Sequence, residues 1–315
     1  MQESTKFKFL KSSKFSNFAE LFFDFKFLGQ CWYDMKFNRR VLLSTIAGGG
    51  LLGGALFNYA FFIEPYWIQV KKYTIASVNL PAAFDGMRIA FVSDTHYGSC
   101  CAYDLLEQTV QLVQEQSPDL ILLGGDYCDN EDVEAIRRCF SVFKHFSAPL
   151  GVYGVLGNHD SERAKTLAAM REVKIRPMVN RSYWLMRNGS RILLGGLDDC
   201  WVGKPSFVPM QRKINDSHFT IIVSHNPDIA DSLTKEQRNE IDLILSGHSH
   251  GGQLTFFGLY APIRVVQKKF ITGLVKPFKN SKVRVIISNG IGTSCVPLRF
   301  FAPPQLVVVT LKKIT

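Results

Sequence analysis

Over residues 251–315 the chain has no Asp and no Glu, against ten Lys and Arg. Residues 1–40 are also basic, eight to four, whereas 41–250 carry nineteen basic and twenty-three acidic residues. A basic surplus confined to the two ends points to an anionic surface or substrate and away from duplex DNA. A solvated basic face is the plainer alternative. The seven cysteines contain no C-x-x-C pair and no even framework, which argues against a disulfide scaffold and for a reducing compartment. No internal repeat is present. Residues 41–63, VLLSTIAGGGLLGGALFNYAFFI, have no charge at all.

That uncharged run is long enough to cross a bilayer, since about 20 helical residues span the roughly 30 Å hydrocarbon core. Its glycines permit close helix packing and also suit the apolar part of an export signal. Asn38-Arg39-Arg40 ahead of it resembles a twin-arginine signal behind a long leader. We expect a transmembrane or signal-like segment, with a buried core helix as the alternative. The leader itself, 1–40, interleaves lysines with nine phenylalanines and reads as a basic aromatic membrane-surface segment. A disordered leader is its alternative. Positive-inside bias would put the chain beyond residue 63 across the membrane from the cytosol, and the unpaired cysteines argue the opposite face. Residues 64–86 read as a linker and 87–315 as the globular domain, long enough for a substantial core.

From residue 87 onward, short apolar runs alternate with helical patterns. Strands expected at 87–94, 119–126 and 151–160 interleave with helices at 103–116, 131–146 and 162–172, a βαβαβα order. The second half is richer in strands, at 183–186, 191–197, 219–224, 241–245, 282–287 and 306–311. The class is therefore α/β, and two packed sheets with helices outside accommodate both halves.

Each core strand ends in the same polar vocabulary. Asp94 and His96 follow the first, Gly124-Gly125-Asp126 the second, and Gly157-Asn158-His159-Asp160 the third. Ser224-His225 and Gly247-His248-Ser249-His250 follow later ones. A lone Asp-x-His is usually a turn, but five of the seven histidines fall in these clusters, leaving only His145 and His218 outside. Strand carboxyl ends share one crevice in an open α/β sheet, so the clusters can converge. Two divalent cations need a bridging carboxylate, further O and N ligands and an open position for water. Asp126, alone at its strand end, suits the bridge, with Asp94, His96, Asn158, His225, His248 and His250 supplying the rest. His159 is left uncommitted.

The ordered set D-x-H, G-G-D, G-N-H-D, a lone His and G-H-x-H resembles the calcineurin-like metallophosphoesterases over about three quarters of the chain. GHSHGGQ at 247–253, the NGIGTS run at 289–294 and Pro297-Leu298-Arg299 are similar to a membrane-associated branch. Within it the chain resembles the UDP-2,3-diacylglucosamine pyrophosphatases of lipid A biosynthesis. The resemblance implies an α/β/β/α sandwich of two mixed sheets flanked by helices, with an N-terminal membrane-associated segment at a bacterial inner membrane. It implies metal binding by the seven ligands above, with Asp94, His96 and His250 on one ion and Asn158, His225 and His248 on the other. His159 would stabilise or protonate the leaving oxygen, and Asp160 would orient His159 as an accepting partner. A helix N-cap is the alternative role for Asp160.

The implied reaction is hydrolysis of a phosphoester or pyrophosphate by a water held between two divalent cations. Mixed carboxylate, amide and imidazole ligation favours Mn²⁺, with Fe, Zn or Mg as the other candidates. UDP-2,3-diacylglucosamine would yield UMP and 2,3-diacylglucosamine 1-phosphate. The expected partners are a membrane lipid or lipid-linked nucleotide and an anionic membrane surface, with no nucleic acid. Seven basic residues at 260–284 are expected near the site mouth, or alternatively as a lysine-bearing hairpin protecting a sheet edge. Competing readings are an exported phosphodiesterase for cell-wall polymers or cyclic nucleotides, and a non-catalytic membrane scaffold with a structural metal. The scaffold reading is disfavoured because structural sites are usually closed and rich in thiols.

Overall fold

A computed structural model describes residues 39–98, 101, 103–129, 133–208, 218–257 and 268–314. Residues 1–38 of the expected leader lie outside these, as do the side chains of 39–47. The chain divides into two units, Met1–Gly54 and Ala55–Thr315. Helix α1 (Arg39–Asn58) runs through that boundary, continues as a π-helical turn (Tyr59–Ile63) and closes in a 3-10 turn (Glu64–Tyr66) with proline at its start. Among the described residues no helix is long and apolar enough to cross a membrane.

All the described strands belong to the second unit. In chain order they are β1 (Gln69–Ser77), β2 (Arg88–Val92), β3 (Leu120–Leu123), β4 (Val152–Gly154), β5 (Arg176–Pro177), β6 (Arg181–Arg187), β7 (Ser190–Gly196), β8 (Thr220–Val223), β9 (Leu243–Ser246), β10 (Gly273–Val275), β11 (Arg284–Ile287) and β12 (Gln305–Lys313). They form two six-stranded sheets, in the orders β1-β12-β2-β3-β4-β5 and β10-β11-β9-β8-β7-β6. Both are mixed: β2 to β5 are mutually parallel with β12 antiparallel to β2, and β7, β8, β9 and β11 are parallel with antiparallel β6 and β10 outside them.

Period-two alternation divides the apolar side chains between layers. Ile89 and Phe91 of β2 enter the core between the sheets, together with Leu194 of β7, Ile221 of β8 and Leu245 of β9. Ala90 and Val92 face the other way, into a second core. That core is closed by α2 (Tyr103–Glu115) and α3 (Val133–Phe143), which present apolar stripes such as Leu106, Val110 and Val113, and by α4 (Arg163–Glu172), which contributes chiefly Met170. A third core, around Ile222, Ile244 and Ile287, covers the outer face of the second sheet beneath residues 229–233 and Phe270. A short helix, α5 (Lys235–Glu240), starts from a capping box in which Thr234 and Gln237 bond reciprocally. The expected α/β/β/α sandwich is the observed one.

Two stretches differ from expectation. Residues 64–86, read as a linker, contain β1, which pairs residue for residue with β12 from Gln69↔Gln305 to Ser77↔Lys313. As an edge strand β1 tolerates Lys71 and Lys72, and those charges mask its strand character in the sequence. The basic stretch after residue 267 forms β10, the antiparallel edge of the second sheet. None of its described residues lines the cavity above the clustered histidines. The described part forms a sheet edge and also reaches the ligand loop, where Ser249 Oγ donates to the Ile271 carbonyl at 2.6 Å; residues 258–267 lie outside the described residues.

Candidate metal centre

The carboxyl ends of β2, β3, β4, β8 and β9 deliver every expected ligand to one place. Asp94 and His96 follow β2, Asp126 follows β3, Asn158 and His159 follow β4, His225 follows β8, and His248 and His250 follow β9. Two buried groups of donor atoms result, Asp94, His96 and His250, and Asp126, His225 and His248, and a third, partly exposed, joins His96, Asp129 and His159. In the first group, His96 Nε2 lies 3.0 Å from His250 Nε2, and His250 Nε2 lies 3.6 Å from Asp94 Oδ1. In the second, His225 Nε2 lies 3.1 Å from each of Asn158 Oδ1, His248 Nδ1 and Asp126 Oδ2.

Asp126 stands between the groups. Its Oδ1 accepts the backbone N–H of His159 at 2.8 Å, which leaves Oδ2 facing His225 Nε2 at 3.1 Å and His96 Nε2 at 3.6 Å. One oxygen thus looks toward both sets of nitrogens, as a bridging carboxylate must.

The donor chemistry fits cations. Four imidazole nitrogens and three carboxylate or amide oxygens stand in a chain of contacts of 3.0 to 3.6 Å, more than shared protons can satisfy. Asp94 Oδ2, His248 Nε2 and His250 Nδ1 are buried without a hydrogen-bond partner. His225 Nδ1 meets the carbonyl of Gly124 at 2.8 Å. Donation there turns the Nε2 lone pair toward the cluster.

Backbone strain holds these groups. Asp94, His96, Asp126, His248 and His250 all have positive φ, between 43° and 68°. Left-handed backbone at a non-glycine residue costs about 1–3 kcal/mol and persists only where the surroundings over-determine it. At Gly247 a Cβ would meet Asp94 Oδ2 at 2.0 Å, and at Gly157 one would meet Asp126 Oδ1 at 2.1 Å. Glycine at these two positions is a condition for the carboxylates to reach the centre.

Charge follows the same layout. Burial opposes the ionised form of Asp126, but His225 and His96 outweigh it and hold the carboxyl well below its usual range. Burial lowers the pKa of His225, and the charge and hydrogen bond of Asp126 reverse that and bring it to about 10. His248 is pushed down to about 3 by burial and by the neighbouring His225. It stays neutral, as a ligand must.

Asp160 differs in role from its expectation. Its Oδ2 accepts from the backbone N–H groups of Asp126 and Gly157 at 2.9 and 2.8 Å, and its Oδ1 from Tyr127 at 3.0 Å. It braces the loop of the bridging carboxylate and does not orient the His159 ring. Nor does it cap α4, whose N-cap position is Glu162. His159 is exposed at the cavity above the cluster, its ring 5.0 Å from that of His96.

Three supporting residues escaped the sequence reading. The Asp129 carboxylate meets His96 Nδ1, completing a carboxylate–histidine pair behind a ligand nitrogen. Its signal was the spacing G-G-D-x-x-D. Trp201 stands edge-on to the His248 ring at 4.4 Å and forms one wall of the cavity. Arg299, present in the sequence only as part of Pro297-Leu298-Arg299, is fully buried. Its guanidinium donates to the carbonyls of Asn289 and Ala302 at 2.8 and 2.6 Å, and to those of Gly292 and His250. The turn it clamps donates from Gly292 to the Asp94 carbonyl at 2.8 Å, so Arg299 reaches both ligand loops of the first group.

The calcineurin-like phosphoesterase profile matches residues 87–252. The chain is 30% identical over 293 residues to the uncharacterized metallophosphoesterase YkuE of Bacillus subtilis, covering 88% of this chain and 98% of that one. It is 29% identical over 285 residues to the phosphodiesterase YaeI of Escherichia coli, covering 87% and 98%. A transmembrane protein with metallophosphoesterase domain from Bos taurus is 25% identical over 250 residues, covering 74% and 55%. With the sandwich fold and the donor cluster in place, the class is that of a metal-dependent phosphoesterase. The chain belongs to the calcineurin-like phosphoesterase family.

Proposed function

We propose that the protein hydrolyses a phosphodiester or pyrophosphate bond in a lipid-linked substrate, and that the substrate is UDP-2,3-diacylglucosamine, cleaved to UMP and 2,3-diacylglucosamine 1-phosphate. The observation carrying this reading is the composition of the cavity, about 360 Å³, in which Asp126, Asn158, His159 and His248 share one space with Trp201, Leu254 and Val296. A polar floor under an apolar wall suits an amphiphile whose phosphate sits beside hydrocarbon. The names of two relatives, a phosphodiesterase and a transmembrane protein, agree with the bond type and with a membrane setting. An inner-membrane location through residues 41–63 belongs to the same proposal, as does contact of the basic leader with anionic lipid.

Two divalent cations, Mn²⁺ foremost, would be held by Asp94, His96, Asp126, Asn158, His225, His248 and His250, and would supply Lewis acidity and an acidified water. The chain's own residues do the rest. Asp126 keeps the two ligand groups adjacent, Asp129 and Gly124 fix the tautomers of His96 and His225, and the neutral amide of Asn158 adds no charge against an arriving phosphate. His159, next to the cluster, donates a proton to the departing oxygen as the phosphorus–oxygen bond breaks. No covalent link to the enzyme is needed.

The test is full-length protein assayed with Mn²⁺ on UDP-2,3-diacylglucosamine, unacylated UDP-glucosamine, bis(p-nitrophenyl) phosphate and cyclic nucleotides, with product identification and a chelator control. Chelator-sensitive release of UMP, with the diacylated substrate preferred, is expected. Preference for cyclic or other soluble diesters would replace the lipid-linked substrate with the plainer phosphodiesterase reading.

A further inference from the structure

The apolar wall of the cavity continues outward. Leu254 lines the cavity and bridges to Phe300, and two residues further on Phe256 and Phe257 are 66% and 63% exposed. Their rings touch edge to face at 4.7 Å, Phe257 lies 5.1 Å from Phe301, Phe301 4.5 Å from Phe300, and Phe300 6.4 Å from Tyr59. A connected series of rings thus runs from the cavity to the π-helical turn, in which Phe62 and Ile63, and after which Tyr66 and Trp67, each expose more than half their surface. A contiguous apolar face of this kind marks an interaction site.

Strain and charge say what it meets. Phe257 and Phe301 have φ of 51° and 54°, a backbone region that bulky residues avoid. The loop is held there by Phe300 N–H donating to Gln253 and Thr255 N–H donating to Phe300, each at 2.9 Å. The strain at Phe257 is borne by a residue that leaves 63% of its surface exposed, and its ring packs mainly on other aromatic rings of the same face. Glu64, the acidic residue of this stretch, is fully buried, its carboxylate accepting the N–H groups of Phe301 and Ala302 at 2.9 and 2.6 Å. Lys71 instead shares with Tyr59, Phe257 and Phe301 a cleft of about 350 Å³, and Lys72 beside it is exposed. Exposed phenylalanines flanked by Tyr59 and Lys71, with the carboxylate withdrawn, form the pattern of a surface seated in lipid headgroups.

We propose that the catalytic unit itself docks on an anionic bilayer through Phe256, Phe257, Phe301 and Lys71, with the cavity mouth at headgroup level. This rests on the lipid-linked substrate proposed above and names the surface that presents it. A membrane-borne phosphoester then reaches the ligand cluster along Leu254 while its acyl chains stay in the bilayer.

The experiment uses full-length protein in phosphatidylcholine vesicles with or without phosphatidylglycerol, comparing wild type, Lys71→Gln and the double variant Phe256→Ser/Phe257→Ser. Backbone hydrogen exchange over 254–257 and 300–302 is read against detergent micelles. KM for vesicle-borne UDP-2,3-diacylglucosamine is read beside turnover of bis(p-nitrophenyl) phosphate. Expected are protection on phosphatidylglycerol vesicles, a KM raised about tenfold or more in the double variant, and unchanged turnover of the soluble diester, which also shows that the variant is folded. Lys71→Gln is expected to weaken protection only where phosphatidylglycerol is present. Unchanged exchange and unchanged KM would overturn the proposal, as would a wild-type dimer in detergent that the double variant dissociates, since a second copy would then cover the face. Failure of wild type on every phosphoester would instead sink the proposed function, and the exchange measurement would still decide the docking face.

Discussion

The Asp160 carboxylate holds the backbone N–H of Asp126 at 2.9 Å, so the residue that stands between the two ligand groups is anchored through its backbone by a side chain that belongs to neither group. The same carboxylate takes the N–H groups of Gly157 and Tyr127, binding the ends of β3 and β4 into one rigid corner. Burial, then Asp126, raises its pKa to about 7, yet three converging N–H donors require acceptor oxygens there.

Asp160→Asn places an amide N–H₂ against backbone donors and orphans at least one of them. We expect a loss of about 1–3 kcal/mol in stability and a roughly 10–100-fold weaker metal affinity, as for other residues behind a ligand. Calorimetric titration with Mn²⁺ beside thermal denaturation measures both. Wild-type affinity in the variant would show that this corner does not control Asp126.

His159 is tied to the cluster by its backbone N–H, which donates to Asp126, and its ring faces the cavity with a nitrogen within 4.8 Å of donor atoms of His96 and Asp129. His159→Ala is expected to keep both metal equivalents and lose roughly 2 or more orders of magnitude in kcat. Metal analysis and steady-state kinetics on the same preparation decide it. An unaltered rate would remove the ring from the chemistry.

The pKa of His225, about 10 without metal, carries a pH signature. At neutral pH the ring is protonated, and ligation requires its neutral form, so at least one proton leaves as a cation binds. Affinity should climb with pH up to about 10. Titration in buffers of different ionisation enthalpy counts the proton directly. For chelated protein the sign is opposite: a raised histidine pKa stabilises the fold fully below the ordinary histidine value of 6.5, and that contribution is lost as pH rises to about 10. Thermal denaturation with and without chelator should diverge over this range.

The strand and helix order from β2 to β9 was legible apart from the two-residue β5 and the six-residue α5, because the buried strands are short apolar runs and the longer helices α2 and α3 carry an apolar stripe. The ligands were legible because Asp and His at the ends of apolar strands have no packing reason to be there. β1 was hidden, since an edge strand needs neither hydrophobic alternation nor freedom from charge. Trp201 was hidden because its partner, His248, is far off in the chain and no local pattern ties them, whereas Asp129 left a local signal in G-G-D-x-x-D that does not point to its partner, His96.

From the amino-acid order alone came the chemical kind of the centre, because hard oxygens and imidazoles in five separate clusters already specify cations and exclude a thiolate site. Only the folded chain decided that Asp126 offers a single oxygen to both groups, that Asp160 serves its backbone and that Arg299 clamps the turn behind Asp94. Those facts depend on which atoms of distant loops meet once parallel strands from two sheets are brought to a common edge. Residue type can suggest such a meeting, but distance and direction between loops exist only after the cores have packed.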